Sequence, residues 1–335
     1  MAIVEMKPPQ VVLLACGSFN PPTIMHLRMF VYYIFKHFLV ELARDYLHRV
    51  GKHTVIGGML SPVHDDYGKK DLVNADHRRQ MLKRALETST WLHLSSWEST
   101  QNSWQRTRQV LNYHQFEVDK TLEESKLHQK QGSRLKSPFS WLLKTAALAA
   151  NGNGFEPVKV KLLCGADLLE SFHIPGLWSD EDVKEIVGGF GLVVITRHGS
   201  DAAQAIYKSD LLTKYEGNID IVTEWITGDI SSTKIRRCIR RGESVKYLVP
   251  DSVIEYIHSN ALFSPSIPSS ARPISDGETS HIVADESGGG ASCAKKPRTA
   301  GSSRSSAGRV QPRGTTAGRR RKSRRGGGGR RRAAT

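Results

Sequence analysis

The chain predicts an α/β fold, a doubly wound parallel sheet with helices on both faces. Three observations point there. Short aliphatic runs alternate with amphipathic stretches along most of the chain, the order that strand–helix–strand crossovers produce. Several runs are continuous, such as Val11-Val12-Leu13-Leu14-Ala15-Cys16, which is the pattern of parallel strands covered on both faces. Two strands then lead into loops suited to hold an anion at the start of a helix, where free N–H groups and the positive dipole end lie.

Taken in order, strands are expected at 11–16, 54–60, 91–95, 158–164, 192–196 and 219–223. Helical patterns lie between and after them, at 25 to about 50, 75–87, 103–115, 180–187, 202–215, 232–241 and 251–259. The first of these contains the apolar stretch 29–40, which Lys36 and His37 interrupt. It falls short of the roughly 18–20 residues of a membrane span, so a buried helix is expected and no membrane partner. From 118 to 157 the periodicity lapses into charged residues, Ser137-Pro138 and Asn151-Gly152-Asn153-Gly154, which reads as a linker or insertion.

Charge divides the chain. The formal net charge is +15, but 16 of the 48 Lys and Arg lie beyond Phe263 with only 4 of the 33 Asp and Glu. The body at 1–263 is therefore close to neutral and is expected to be one folded domain. Residues 264–335, rich in Arg, Gly and Ser, cannot bury enough apolar surface to order themselves and are expected to be disordered. Four scattered cysteines fit neither a disulfide framework nor a zinc site. Cys16 and Cys164 end apolar runs and are expected as small buried thiols in a reducing compartment. No secretory signal is expected at the N-terminus.

The first loop is Gly17-Ser18-Phe19-Asn20-Pro21-Pro22-Thr23-Ile24-Met25-His26. Gly17 lets main chain approach a phosphate closely. The prolines end the strand and set up the turn into a helix, and His26 then faces the same anion as the helix start. A plain Gly-Ser turn with a surface histidine is the competing account; strand, prolines and histidine in this order favour phosphate. The second loop is Ile230-Ser231-Ser232-Thr233-Lys234-Ile235-Arg236-Arg237. Its hydroxyls suit an N-cap, which is compatible with phosphate binding. A cap alone has no use for Lys234 and Arg236, whereas Arg240 and Arg241 fit a solvated face. Two such openings together suit a triphosphate.

Between them, Leu162-Leu163-Cys164-Gly165-Ala166-Asp167 is a strand running into a carboxylate. Asp167 suits ribose hydroxyls and suits a helix cap equally well. Trp104 and Trp178 are able to stack on a planar base, though core packing is the commoner use of tryptophan.

These blocks, with Thr23, His26-Leu27-Arg28, Ser61-Pro62-Val63-His64-Asp65, Leu168-Leu169 and Gly176-Leu177-Trp178, closely resemble eukaryotic nicotinamide-mononucleotide adenylyltransferases from about Val11 to Phe263. The resemblance implies a Rossmann-like fold of the nucleotidyltransferase superfamily. It implies transfer of AMP from ATP to nicotinamide mononucleotide, and to nicotinate mononucleotide, giving NAD or its deamido form and pyrophosphate, with Mg2+ arriving on ATP. By the same resemblance Gly17, Ser18 and Phe19 line the dinucleotide through main chain. His26 contacts the ATP phosphates, and Thr233, Lys234, Ile235 and Arg236 hold the triphosphate, with His26 and Arg236 as the catalytic pair. Lys69 corresponds to a lysine near the mononucleotide phosphate. Trp104, Thr107, Leu177 and Trp178 surround the pyridine nucleotide, which reverses the core reading of the two tryptophans. Gly165, Asp167 and Glu224 contact the rest of the dinucleotide.

This chain departs from the family at three places. Ten residues, 31–40, intervene between His-Leu-Arg-Met-Phe and Glu41-Leu42-Ala43-Arg44; in a continuous helix they would turn the downstream stripe by roughly −80°. Gly228 stands where relatives usually carry Asn. The basic tail lies beyond the common fold. It suits non-specific contact with nucleic acid, or an import factor through Lys295-Lys296-Pro297-Arg298, so the nucleus is the expected location with the cytoplasm as alternative. A weakly catalytic interaction protein acting through this tail is the competing function. The oligomeric state stays open, a homo-oligomer included.

Overall fold

A computed structural model describes residues 7–30, 42–128, 137–150, 156–196, 201–225, 228 and 230–264, all within the unit Met1–Ala271. The expected insertion at 31–40, residues 129–136 and 151–155 of the expected linker, and the tail beyond 264 lie outside these.

Six strands form one parallel sheet: β1 (Gln10–Gly17), β2 (Thr54–Pro62), β3 (Leu92–Leu94), β4 (Val158–Gly165), β5 (Leu192–Thr196) and β6 (Ile219–Thr223). Their order is β3-β2-β1-β4-β5-β6. Leu13 in the middle of β1 opposes Gly58 on one side and Lys161 on the other. The strand order reverses between β1 and β4, and in open parallel sheets ligands bind beyond the carboxyl ends at that reversal.

The helices are α1 (Ile24–Phe30), α2 (Leu42–Arg49), α3 (Ala75–Leu86), α4 (Thr107–His128), α5 (Ser140–Ala150), α6 (Ala166–Ser171), α7 (Asp180–Val183), α8 (Ala202–Tyr207), α9 (Asp210–Lys214), α10 (Ser232–Arg240) and α11 (Asp251–Ser259). They explain why the strands are apolar at consecutive positions. Val12, Leu14, Val160, Leu162 and Val194 pack with Val110, Leu111, Leu142 and Leu169 from α4, α5 and α6. Val11, Leu13, Leu163 and Val193 pack on the opposite face with Ala43, Leu47 and Leu82 from α2 and α3. Each fully buried leucine contributes roughly 1.5–3 kcal/mol, so both faces must be covered. A third cluster joins Met81 and Ala85 of α3 to Ile235, Val253 and Ile257 of α10 and α11, bringing the last helices back beside the loop after β1.

Some expectations need correction. The stretch 118–157 is not simply a linker, because α4 continues to His128 and α5 spans Ser140–Ala150. Val118, Leu122, Phe139, Leu142 and Ala146 all lie in the core. In α4 the apolar stripe is narrow, so charged outer positions hide it. Ser137-Pro138 is a helix start, with the Ser137 hydroxyl accepting from the Phe139 N–H at 3.1 Å. From α5, Trp141 stacks on His93 with ring centroids 3.9 Å apart. A β-carbon at Gly57 would sit 2.2 Å from the Trp141 ring, so only glycine lets the indole cross β2. The helix expected from 103 begins at Thr107, and α7 runs on as a π-helical turn, Lys184–Phe190. The helix expected at 202–215 is two, because Ser209 caps a new start by accepting from the Leu212 N–H. Cys164 is buried as expected, but Cys16 is only partly so. Burial raises the pKa of both thiols.

Near the amino ends of the strands lies a charge network. Lys161 of β4 passes over Gly191, where a β-carbon would meet its side chain at 3.1 Å, and donates to Asp220 of β6 at 2.6 Å. Lys52 contacts the other carboxylate oxygen at 2.6 Å, and His53 Nε2 lies 3.3 Å from Lys161 Nζ. Burial together with the neighbouring lysines pushes the His53 pKa down to about 4.

Candidate active site

Three loops meet at the carboxyl ends of β1, β4 and β6. The first leaves β1 at Gly17, where a β-carbon would stand 3.2 Å from the Phe19 ring. Phe19 is buried with φ +44°, a left-handed residue that sharpens the turn. A cis peptide joins Asn20 to Pro21. The chain then enters α1, and His26 is fixed against the turn that precedes it. The Thr23 backbone N–H donates to His26 Nδ1 at 3.0 Å, and the Thr23 hydroxyl lies 2.7 Å from the same nitrogen. A backbone N–H can only donate, so Nδ1 is the unprotonated nitrogen and the neutral ring carries its proton on Nε2. The Phe19 edge meets the imidazole with ring centroids 5.4 Å apart.

The second loop enters α10 through Ser231, whose hydroxyl accepts from the Lys234 N–H at 3.3 Å. Thr233 and Lys234 are exposed at this opening, while Ile235 anchors it in the core. Two hydrogen bonds couple the loops directly. Ser232 Oγ donates to the Pro21 carbonyl at 2.8 Å, and Arg236 Nη1 donates to the Asn20 carbonyl at 2.9 Å. Arg236 is only 4% exposed. Its Nε finds no hydrogen-bond partner among the described residues, and burial lowers its pKa. A guanidinium held this way favours an anion within reach.

In the third loop Gly165 precedes α6 and is its N-cap, without a side-chain capping bond. Asp167 follows in the first turn and is exposed. A β-carbon at Gly165 would lie 2.4 Å from its Oδ1, so glycine keeps that carboxylate in place. Glu224, just past β6, is buried and paired with Arg28 of α1. A ligand reaching it shares that carboxylate with the arginine.

Lys69 comes to the first loop, donating to Ser18 Oγ at 3.2 Å. Its segment is strapped down chiefly by a residue the motifs did not single out. Arg78, fully buried, donates to the Val73 carbonyl at 2.8 Å, to Asp65 Oδ1 at 2.6 Å and to the Ser18 carbonyl at 3.4 Å. Asn20 Nδ2 donates to the Asp71 carbonyl at 2.7 Å. The signal was present: Arg78 shares the α3 face of Ala75, Met81, Leu82 and Ala85, and a charge on an apolar stripe demands partners. Near β2, Ser61 Oγ donates to the buried Glu98 carboxyl at 2.6 Å, and burial pushes the Glu98 pKa up to about 7.

Trp104, Thr107, Leu177 and Trp178 lie on the segments entering α4 and α7. Trp104 and Leu177 are largely exposed, with the Tyr67 ring 6.4 Å from Trp104. Trp178 donates to Ser171 Oγ at 3.1 Å and meets Phe172 edge-on. Neither tryptophan is a fully buried core residue.

Residues 14–238 match the cytidylyltransferase-like family. Over 261 residues the chain is 47% identical to nicotinamide/nicotinic acid mononucleotide adenylyltransferase 1 of Bos taurus, covering 76% of this chain and 89% of that protein. The chain belongs to the nicotinamide/nicotinic acid mononucleotide adenylyltransferase family. It is 45% identical over 256 residues to the Drosophila melanogaster nicotinamide-nucleotide adenylyltransferase, covering 76% of this chain and 62% of the fly protein. The corresponding Arabidopsis thaliana protein is 40% identical over 254 residues, with 76% and 90% covered. Membership makes the chain a nucleotidyltransferase and agrees with the parallel sheet order. Among the described residues no helix is long and apolar enough to cross a membrane.

Proposed function

We propose that this chain transfers the adenylyl group of ATP to nicotinamide mononucleotide or nicotinate mononucleotide, releasing pyrophosphate. The observation that carries the reading is the pair of helix openings joined by Ser232–Pro21 and Arg236–Asn20, with an oriented histidine on one and a buried arginine on the other. The triphosphate lies across Thr233, Lys234, Ile235 and Arg236. Gly17, Ser18 and Phe19 approach the dinucleotide through main chain, and Lys69 meets the mononucleotide phosphate from beside Ser18. Gly165 and Asp167 take the ribose side, and Glu224 reaches the dinucleotide from its pair with Arg28. Trp104, Thr107, Leu177 and Trp178 surround the pyridine.

The mononucleotide phosphate oxygen attacks the ATP α-phosphorus in line; the new P–O bond forms as the bond to pyrophosphate breaks. That phosphate is ionised near neutral pH, so no strong base is needed and catalysis is positioning with charge neutralisation. The His26 Nε2–H donates to the phosphate oxygens, and Arg236 offsets charge on the α-phosphate and the departing pyrophosphate. Mg2+ enters as part of the substrate, carried on ATP. Incubation of the full chain with Mg-ATP and either mononucleotide, followed by separation of products, tests this. NAD or deamido-NAD with equimolar pyrophosphate is expected. Well-folded protein that binds no ATP by calorimetry would overturn it. The tail, outside the described residues, is assigned to nuclear import, which loss of nuclear accumulation on removing 295–298 would support.

A further inference from the structure

The segments bearing the pyridine-facing residues are joined by one buried carboxylate. Asp182 is 4% exposed. Its Oδ2 accepts from Arg106 Nη1 at 3.2 Å, and its Oδ1 lies 2.7 Å from Arg108 Nε. Both arginines flank Thr107 at the start of α4, shortly after Trp104. Asp182 stands in the first turn of α7, where its own N–H donates to the capping Ser179 hydroxyl at 3.1 Å, four residues after Trp178. Glu185 widens the contact by accepting from Arg108 Nη1 at 3.2 Å and Asn112 Nδ2 at 2.7 Å.

The arrangement is specific in its electrostatics. Two guanidinium groups and the positive ends of two helices converge here, and they repel unless an anion lies between them. Asp182 supplies that anion: its Oδ2 accepts from Arg106, while its Oδ1 faces Arg108 Nε as an ion pair, with no hydrogen bond among the described residues. One wall is also anchored to its own surroundings, since Trp178 is tied to Ser171 and Phe172. The other is not: Trp104 is 43% exposed and has only Tyr67 as an aromatic neighbour among the described residues. The start of α4 is held to the α7 segment by the Arg106–Asp182–Arg108 contact and by Glu185, beside the core packing that Val110 and Val183 share.

We propose that Asp182 is a positioning residue for mononucleotide binding: it clasps the Trp104–Thr107 wall to the Leu177–Trp178 wall and leaves the triphosphate loops untouched. The proposal rests on those four residues surrounding the pyridine nucleotide, as proposed above. Asp182→Asn, nearly isosteric, removes the charge in the full chain. Its KM for nicotinamide mononucleotide is expected to rise about tenfold or more, with KM for ATP within about twofold and kcat within about threefold. Tryptophan fluorescence titrated with the mononucleotide should show the same weakening. Arg106→Gln, on a side chain 58% exposed, should shift the mononucleotide KM in the same direction by less. It serves as the test if Asp182→Asn does not fold. Equal loss for both substrates, or no change in the mononucleotide KM, overturns the clasp. Trp104→Ala separates the two levels. If it leaves the mononucleotide KM unchanged, the wall assignment fails. If it raises KM while Asp182→Asn does not, only the clasp fails.

Discussion

Both ends of the sheet hold buried charge, and they treat it in opposite ways. At the amino end, Lys161 and Asp220 are nine-tenths buried and bonded to each other, with Lys52 on the second oxygen. At the carboxyl end, Arg236 is equally buried but among the described residues donates only to a backbone carbonyl, with the Asp71 carboxylate 4.0 Å away, and Asp167 stays exposed in a first helical turn. A pair that satisfies itself holds strands in register; groups left short of partners wait for something else. The same residue types thus serve structure at one end and, in the proposed function, ligand binding at the other, and the partners each side chain keeps tell them apart.

The comparison can be broken most sharply at His26. His26→Ala should lower kcat by about 10²–10³, with little change in mononucleotide affinity or in Tm; steady-state kinetics beside a melting curve read both. Next comes the opposite end. Lys161→Met leaves Asp220 buried without its main counter-ion and should cost roughly 3 kcal/mol of stability, measured by urea unfolding, while kcat/KM of the folded fraction stays near normal. If Lys161→Met instead damaged catalysis selectively, the division between the ends would fail.

A smaller effect concerns pH. Burial holds His114 and His93 down at about 4 against an ordinary 6.5. Between those values the unfolded chain takes up protons that the folded chain refuses, so stability drops as pH falls through that window. Glu98, raised from 4.5 to about 7, works the other way, because the folded chain keeps its proton there. With His53 and His48 added, four histidines lowered by burial oppose two carboxyls raised by it, Glu98 and Asp119, and Tm should be lower at pH 5 than at pH 7. A Tm that rose on acidification would mean these imidazoles are solvated. Smallest is Ser231→Ala, which takes the acceptor from the Lys234 N–H and should cost about 1 kcal/mol, seen as a modest drop in Tm.

The strands were legible because several are continuous aliphatic runs, as a doubly covered sheet requires, and the others, such as Val158-Lys159-Val160-Lys161, still alternate apolar residues. The loops were legible because glycine, proline and capping hydroxyls stand in fixed order. What escaped were side chains whose work lies across the fold. Asp182 looks like an ordinary surface charge until α4 and α7 are packed, and Arg28 gives no hint that Glu224 is its partner. The α4–α5 region failed for another reason: a long helix with a narrow buried stripe, Val110, Leu111, Val118 and Leu122, shows little periodicity over short windows.

The bonds Ser232–Pro21 and Arg236–Asn20 span 211 and 216 residues of chain. On the ribosome, the first loop therefore emerges long before its buttress is made. A product truncated ahead of residue 230 would possess the sheet and its first turn but no finished binding surface. On the proposed function, nascent chains should acquire nucleotide affinity only once Ser232 and Arg236 have emerged.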